Sequence, residues 1–352
     1  MTDRRRRSAA RAAIAAGLAM ALASASCRVP ERMAGVAAGR LLAMWQSVRS
    51  NDAVVETAPD LLRRPGQTIR TRVVTADLQK RTYRYFTRVL APADEAGTAT
   101  GGRWGGAWAY DARTRTVLSV RGLRAWNEAA NARILTRVIR QSFAQYDFQR
   151  SNGTRLGRPT QIVTATPLVA DRYRWKTTTE SDERTGYAYR SRFFDSQERA
   201  VSGWDTLEYK TDGPLAEADF DPPANDLALA LRFTVGAPDN LAQERGRLAF
   251  APVTIRGRRG AHRVQEAAPG VWGVASDYSD PDGSLAVAQW PAGGGRVRIP
   301  FARPVATGAG EAAVTLVGPY LLLLWSDGKR ELAALGEMDG SEMLHLLDAL
   351  HE

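Results

Sequence analysis

Cysteine and histidine are scarce in this sequence, with one cysteine and three histidines among 352 residues. A single thiol excludes an internal disulfide and every multi-cysteine zinc or iron–sulfur site. The histidines are too scattered to build a metal centre. His345 lies on a C-terminal helical stripe and His351 at the terminus, while His262 follows the basic turn Arg258-Arg259-Gly260-Ala261 with no serine elbow beside it. Signatures of nucleophile elbows, Walker loops, dinucleotide folds and zinc proteases are missing. The body of the chain also lacks the roughly 20-residue apolar run that a membrane-crossing helix needs. These absences point away from an enzyme and from any metal or cofactor.

Present instead is an export signal. Arg4, Arg5, Arg6, Arg7 and Arg11 form a basic head, Ala12 to Ala23 an apolar stretch, and small residues lead to Cys27. That order is a secretory signal peptide. Residues 1–27 read as a lipoprotein signal with Cys27 as the acylated residue, which would make the mature chain extracytoplasmic and membrane-anchored by an N-terminal lipid. Cleavage after Ala23-Ser24-Ala25, giving a soluble secreted or periplasmic protein, is the alternative. The segment carries five arginines and one aspartate, so +4 of the net +10 leaves with it and +6 remains. That remainder is spread over apparent strands with no basic stripe, so nucleic acid is not an expected partner.

The mature chain, 44% hydrophobic overall, has enough apolar content for real cores. Met33, Val36, Ala37, Leu41, Leu42, Trp45 and Val48 recur at helical spacing. Alternating segments follow at 69–73 and 83–89, the glycine-rich stretch 97–106 reads as a loop, and strands resume at 107–110 and 116–120. Leu123, Trp126, Ala130, Ile134, Leu135, Val138 and Phe143 form a helical stripe, after which strands resume at 162–165, 172–177, 187–194 and 204–209. Asp219, Asp221 and Pro222-Pro223 mark a boundary, giving domains 28–223 and 224–352. The second holds strands at 227–235, 271–276, 285–289, 312–317, 320–325 and 331–335 and a helix near 341–350. The fold class is therefore mainly β, of α+β type: a curved antiparallel half-barrel sheet covered by helices, then a smaller α+β domain.

Two carboxylate groups bear on chemistry. Glu180, Asp182 and Glu183 crowd one hairpin, while Asp277, Asp280 and Asp282 precede Gly283 without the distal glutamate of a calcium loop. The second group reads as a solvated Pro-Asp-Gly turn, and a hydrolase using Glu180, Asp182 or Asp277 is the weakest functional alternative. Aromatic residues suggest a groove for an acyl chain or peptide. Its candidate lining is Trp108, Tyr110, Trp126, Leu135, Phe143, Trp175, Tyr189, Phe193 and Trp204, although such residues more often fill a core.

Four stretches carry a family likeness: WAYDARTRTVLSV (Trp108–Val120), LGRPTQIVTATP (Leu156–Pro167), TGYAYRSRFFDSQERAVSGWDTLEY (Thr185–Tyr209) and PLAEADFDPP (Pro214–Pro223). Over residues 32–223 they resemble the fold shared by the outer-membrane lipoprotein carrier LolA and the sigma-factor regulators RseB and MucB. Ala312–Leu350 is similar to the regulatory domain that follows it in the RseB-like proteins. The resemblance implies a non-enzymatic periplasmic protein of the cell envelope that binds lipid, an acylated or extended peptide, or an envelope regulator such as an anti-sigma factor. A structural scaffold of an envelope complex is the alternative.

Overall fold

The computed structural model describes residues 31–351 except 63, 78–83, 104, 124–127, 170–174, 224–227, 280–282, 308–309, 319 and 339. The export segment with Cys27, and Trp126, Asp280 and Asp282, lie outside the described residues.

In chain order the elements are α1 (Glu31–Trp45), β1 (Ser50–Ala58), β2 (Ile69–Ala76), β3 (Arg84–Ala91), β4 (Ala99–Arg103), β5 (Gly106–Asp111), β6 (Thr116–Arg121) and α2 (Glu128–Gln145). Next come β7 (Tyr146–Arg155), β8 (Arg158–Pro167), β9 (Lys176–Asp182), β10 (Ala188–Phe194), β11 (Ala200–Thr211) and β12 (Leu229–Thr234). The remainder is α3 (Leu241–Glu244), β13 (Thr254–Ile255), β14 (Ala261–Ala268), β15 (Val271–Asp277), β16 (Leu285–Pro291), β17 (Arg303–Thr307), β18 (Gly310–Val317), β19 (Tyr320–Ser326), β20 (Arg330–Gly336), α4 (Gly340–Asp348) and β21 (Leu350–His351).

The chain folds into two compact units, and neither is contiguous. The first takes in Met1–Thr82 and Asn127–Pro214 with Asp339–Ser341; the second takes in Tyr83–Trp126, Leu215–Met338 and Glu342–Glu352. A single division at residue 223 does not describe this arrangement. The reason is β12, which runs parallel to β6 with Leu231 beside Leu118 and Phe233 beside Val120. That pairing ties residues 83–126 to the C-terminal part of the chain.

In the first unit, antiparallel strands lie in the order β2-β1-β11-β10-β9-β8-β7. Helix α1 buries Ala34, Ala37, Ala38 and Leu41 against Leu135, Val138 and Ile139 of α2. Three alanines on one helical face let the two backbones approach closely. Val36, expected on the apolar stripe, is exposed instead.

The second unit holds the ladder β12-β6-β5-β4-β3 and the sheet β14-β15-β16-β20-β19-β18-β17. One core joins them, including Leu118, Val120, Leu231, Phe233, Trp290, Tyr320 and Leu335. As the unbroken apolar run 320–325 predicts, β19 is an interior strand, paired on both sides.

The mainly β, α+β class therefore holds, but the half-barrel is corrected. Each sheet is an open ladder; none is closed or strongly curled. The glycine-rich loop is also corrected, because 99–103 is strand β4. A Cβ at Gly101 would lie 2.3 Å from the Trp108 ring, so glycine is what lets Trp108 lie flat across its cross-strand neighbour.

The β7–β8 hairpin turns on two residues, Leu156 and Gly157, with φ of 51° and 72°. Positive φ at both places marks a type I′ turn, which favours Asn-Gly. An exposed leucine in the left-handed region is strained, so Leu156→Asn is expected to stabilise the protein by about 0.5–1 kcal/mol. Chemical denaturation of the two proteins measures this directly.

Candidate functional site

Alternation gives the first unit's sheet two chemically different faces. On one face Arg70 stands opposite Glu56, Glu56 opposite Asp205, Asp205 opposite Arg190, and Arg190 opposite Glu180. Arg155 reaches both Asp205 and Glu180, and Arg192 also bonds Asp205. Two glycines make room for this ladder. A side chain at Gly153 would press on Thr160 and Glu180, and one at Gly203 on the Arg192 stem. Arg192 lies down in that gap, donating to the carbonyls of Ser191 and Trp204.

The opposite face is buried beneath helices. Phe143 of α2 meets Phe148 of β7 at 4.8 Å between ring centroids, and Leu41 and Trp45 of α1 close over Gly186. Aromatic and hydroxyl side chains share this face. One cross-strand row reads Trp204–Ser191–Thr179–Val163–Arg150, and the next Ser202–Phe193–Thr177–Ala165–Phe148. Thr71, Thr177, Thr179, Ser181, Ser191, Ser202 and Thr206 are all buried. Thr179 and Ser191 satisfy one another at 2.9 Å, whereas the hydroxyls of Ser181, Ser202 and Thr206 meet no hydrogen-bond partner. Burying a hydroxyl unmatched costs about 1–3 kcal/mol, so three on one covered face call for a reason.

The aromatic set predicted from sequence divides among separate clusters. Trp175 and Phe193 pack with Val201, Leu62 and Trp204. Leu135 and Phe143 belong to the helix pair. Tyr189 joins Tyr187 and Tyr209. Trp108 and Tyr110 belong to the other unit, packed with Ala99 and Val117, and the Trp108 indole N–H donates to the Phe220 carbonyl at 3.0 Å. The buried hydroxyls were missed; their sequence signal is the run of Thr and Ser at alternate positions 177, 179 and 181.

The carboxylates suggested for hydrolysis hold structure. Asp182 accepts the backbone N–H groups of Thr185 and Arg184 at 2.7 and 2.9 Å and the Tyr189 hydroxyl at 2.9 Å. Glu180 accepts the Thr160 hydroxyl at 2.8 Å, and Asp277 accepts the Ser279 N–H. His262 pairs its Nδ1 with the Ser276 hydroxyl at 2.9 Å across β14 and β15. Among the described residues no group of three acidic, histidine or cysteine side chains is placed to hold a metal ion.

Burial alone would raise the pKa of Asp182, but its hydrogen bonds from Thr185, Tyr189 and Arg184 outweigh that and hold it below the usual carboxylate value. Burial, together with the nearby Asp182 charge, pushes Tyr209 up to about 12. Tyr189 is raised further, by burial and by its bond to Asp182. Both phenols therefore stay neutral donors at physiological pH.

No protein-family model matches this chain, and no curated protein does. Among solved structures the chain is similar to MucB, with 14% identity and a TM-score of 0.44 over 89% of this chain and 96% of that one. The Pseudomonas aeruginosa MucA/MucB complex matches at 16% identity and a TM-score of 0.40, over 90% and 98%. A LolA superfamily protein from Nitrosomonas europaea matches at 12% identity and 0.24, over 53% and 97%.

A depressed carboxylate stabilises the fold above its unfolded pKa and loses that contribution as pH falls through the folded value. Asp182→Asn is therefore expected to cost about 1.5–3 kcal/mol at neutral pH. The gap between variant and parent should narrow below about pH 4, where the carboxylate of the unfolded chain begins to protonate, and close as the folded one follows at lower pH. Urea melts across the pH range test both parts.

Proposed function

We propose that this chain is a non-enzymatic, extracytoplasmic binding protein of the cell envelope, with its ligand site on the helix-covered face of the first unit. The observation that carries this reading is the set of three buried hydroxyls of Ser181, Ser202 and Thr206 without a hydrogen-bond partner, Ser202 standing opposite Phe193. A face that serves only as core gains from replacing such groups by apolar ones. A face that receives an amphiphile uses them to bond its ester, amide or peptide groups while Phe193 and Trp204 contact its apolar part. The ligand class is accordingly a lipid, an acylated peptide or an extended polypeptide segment.

The partner class follows from the sequence resemblance: an envelope regulator of the anti-sigma type. MucB itself is described in complex with the periplasmic part of MucA. Membrane attachment through an acylated Cys27 is part of the same proposal. It appears as a mass increment on the mature N-terminus that Cys27→Ala abolishes.

A second reading, an interaction scaffold without an internal ligand, draws on a different observation. The described aromatic candidates Trp108, Tyr110, Trp175, Tyr189 and Phe193 are each no more than 8% exposed, as in filled cores.

The paired substitution Ser202→Val with Thr206→Val separates the two. Under the ligand reading it raises stability by roughly 1 kcal/mol or more while weakening binding of a fluorescent acylated peptide. Under the scaffold reading the parent binds no such probe, and only stability changes. Titration by fluorescence anisotropy beside thermal melts gives both quantities.

A further inference from the structure

The basic stripe that the strands lack lies on the helices of the first unit. Residues 32–51 and 129–146, which carry α1 and α2, hold six arginines and no acidic residue. Arg49, beyond the end of α1, meets Asp212. Arg40, Arg133 and Arg140 are exposed, and among the described residues no carboxylate pairs with any of the three. None has an acid three or four places away, where a helix forms its ion pairs. The far face of the sheet is different: Arg70, Arg155, Arg190 and Arg192 each reach a carboxylate there.

Burial sets the unpaired charges on one side. Helix α1 turns its alanines and Leu41 to α2 and leaves Val36, Gly39, Arg40 and Ala43 outside, positions that share one helical face. Helix α2 turns Leu135, Val138 and Ile139 inward and leaves Arg133, Arg140 and Ala144 outside. Both helices cover the same face of the sheet, α1 through Leu41 and Trp45 over Gly186 and α2 through Phe143 on Phe148. Their outer sides therefore look away from that sheet together. The next acid along the chain, Asp147, adjoins Phe148 in β7 and so points from the opposite face. The outer side is thus cationic among small and apolar residues, with Val36 65% exposed one turn before Arg40.

We propose that this outer side of the α1–α2 pair is a membrane-docking surface that lies against anionic phospholipid headgroups. It rests on the envelope reading above and names the surface through which such a protein meets its membrane. Two observations choose the occupant. A guanidinium group forks onto phosphate oxygens while its stem lies along apolar surface, so arginines set among valine, alanine and glycine suit a headgroup layer. Cys27 also precedes α1 by only four residues, at most about 14 Å of extended chain. An acyl group on Cys27 brings α1 to the headgroups, with α2 beside it and the charge-balanced face of the sheet turned to water.

The test uses the mature chain begun at residue 27 with Cys27→Ala, so that no acyl group contributes. It is floated with vesicles of phosphatidylcholine, alone or mixed with phosphatidylglycerol. The chain should rise with the anionic vesicles, stay behind with the neutral ones and be released by salt. Arg133→Gln and Arg140→Gln should each weaken partitioning about fivefold, and together about 20-fold. Arg190→Gln removes the same charge from the far face of the sheet and should leave partitioning nearly unchanged. A polarity-sensitive fluorophore on Val36→Cys should shift to the blue on anionic vesicles, and one on Ser151→Cys should not. A chain that ignores anionic vesicles overturns the proposal, even where Cys27 proves acylated. So does partitioning that Arg190→Gln weakens as much as Arg133→Gln, which is attraction by net charge alone, or retention on an acidic polypeptide without affinity for vesicles. The expected pattern from a chain whose Cys27 carries no lipid upholds the docking surface and removes only the anchor.

Discussion

The first unit depends on one buried carboxylate. Asp182 closes the β9–β10 turn by accepting the N–H groups of Arg184 and Thr185, and it reaches along β10 to the Tyr189 hydroxyl. Thr185 in turn meets the Tyr209 hydroxyl of β11, which bonds Asn51 of β1 at 2.6 Å. Four strands are thereby locked in register at one end of the sheet. Register matters because a slip of one residue would turn the hydroxyl and aromatic face outward and the arginine face inward. Arg158, stacked over the Tyr209 ring and near Asp182, keeps the buried charge compensated from β8.

The charged face makes a different contribution. Its arginines and carboxylates are partly exposed, and each such pair contributes at most about 1 kcal/mol to stability. What the ladder from Arg70 to Glu180 provides is selection. Opposite charges stand opposite one another on five consecutive strands except where Glu56 meets Asp205, and there Arg155, Arg190 and Arg192 converge on Asp205. The ladder thus supports from outside the register that Asp182 fixes at the turn.

Local pattern revealed the strands whose two faces differ in polarity. Segments 69–73 and 83–89 alternate in sequence and lie within β2 and β3, bar the undescribed residue 83. It missed β1 and β7, and for a physical reason. In β7 the helix-facing positions are Tyr146, Phe148 and Arg150 while the rest are polar, so little hydrophobic period survives. Strand β4 was hidden by its glycines, whose use lies in another strand: Gly101 is small because Trp108 is large. Unit membership was not legible at all, since the parallel pairing of β12 with β6 joins residues more than a hundred positions apart. For the same reason Trp108 and Tyr110 were grouped with Phe193 and Trp204, although they belong to a different core. Aromatic content says that a residue is buried; only topology says with whom.

That distinction also decides how the covered face should be understood. Aromatic side chains are ambiguous there, because a filled core and a ligand site use them alike. Hydroxyls are not. Thr179 and Ser191 show that this sheet can satisfy a buried pair when geometry allows, so the unmatched hydroxyls of Ser181, Ser202 and Thr206 are not forced by the fold. Valine would fit each strand position with better propensity and no desolvation cost. Retaining the polar atom leaves this buried face less stable than an apolar one would be. It also leaves donors and acceptors ready for a guest that inserts between them. Lower stability of this face and, under the ligand reading, its capacity to bind are then two consequences of the same three oxygen atoms.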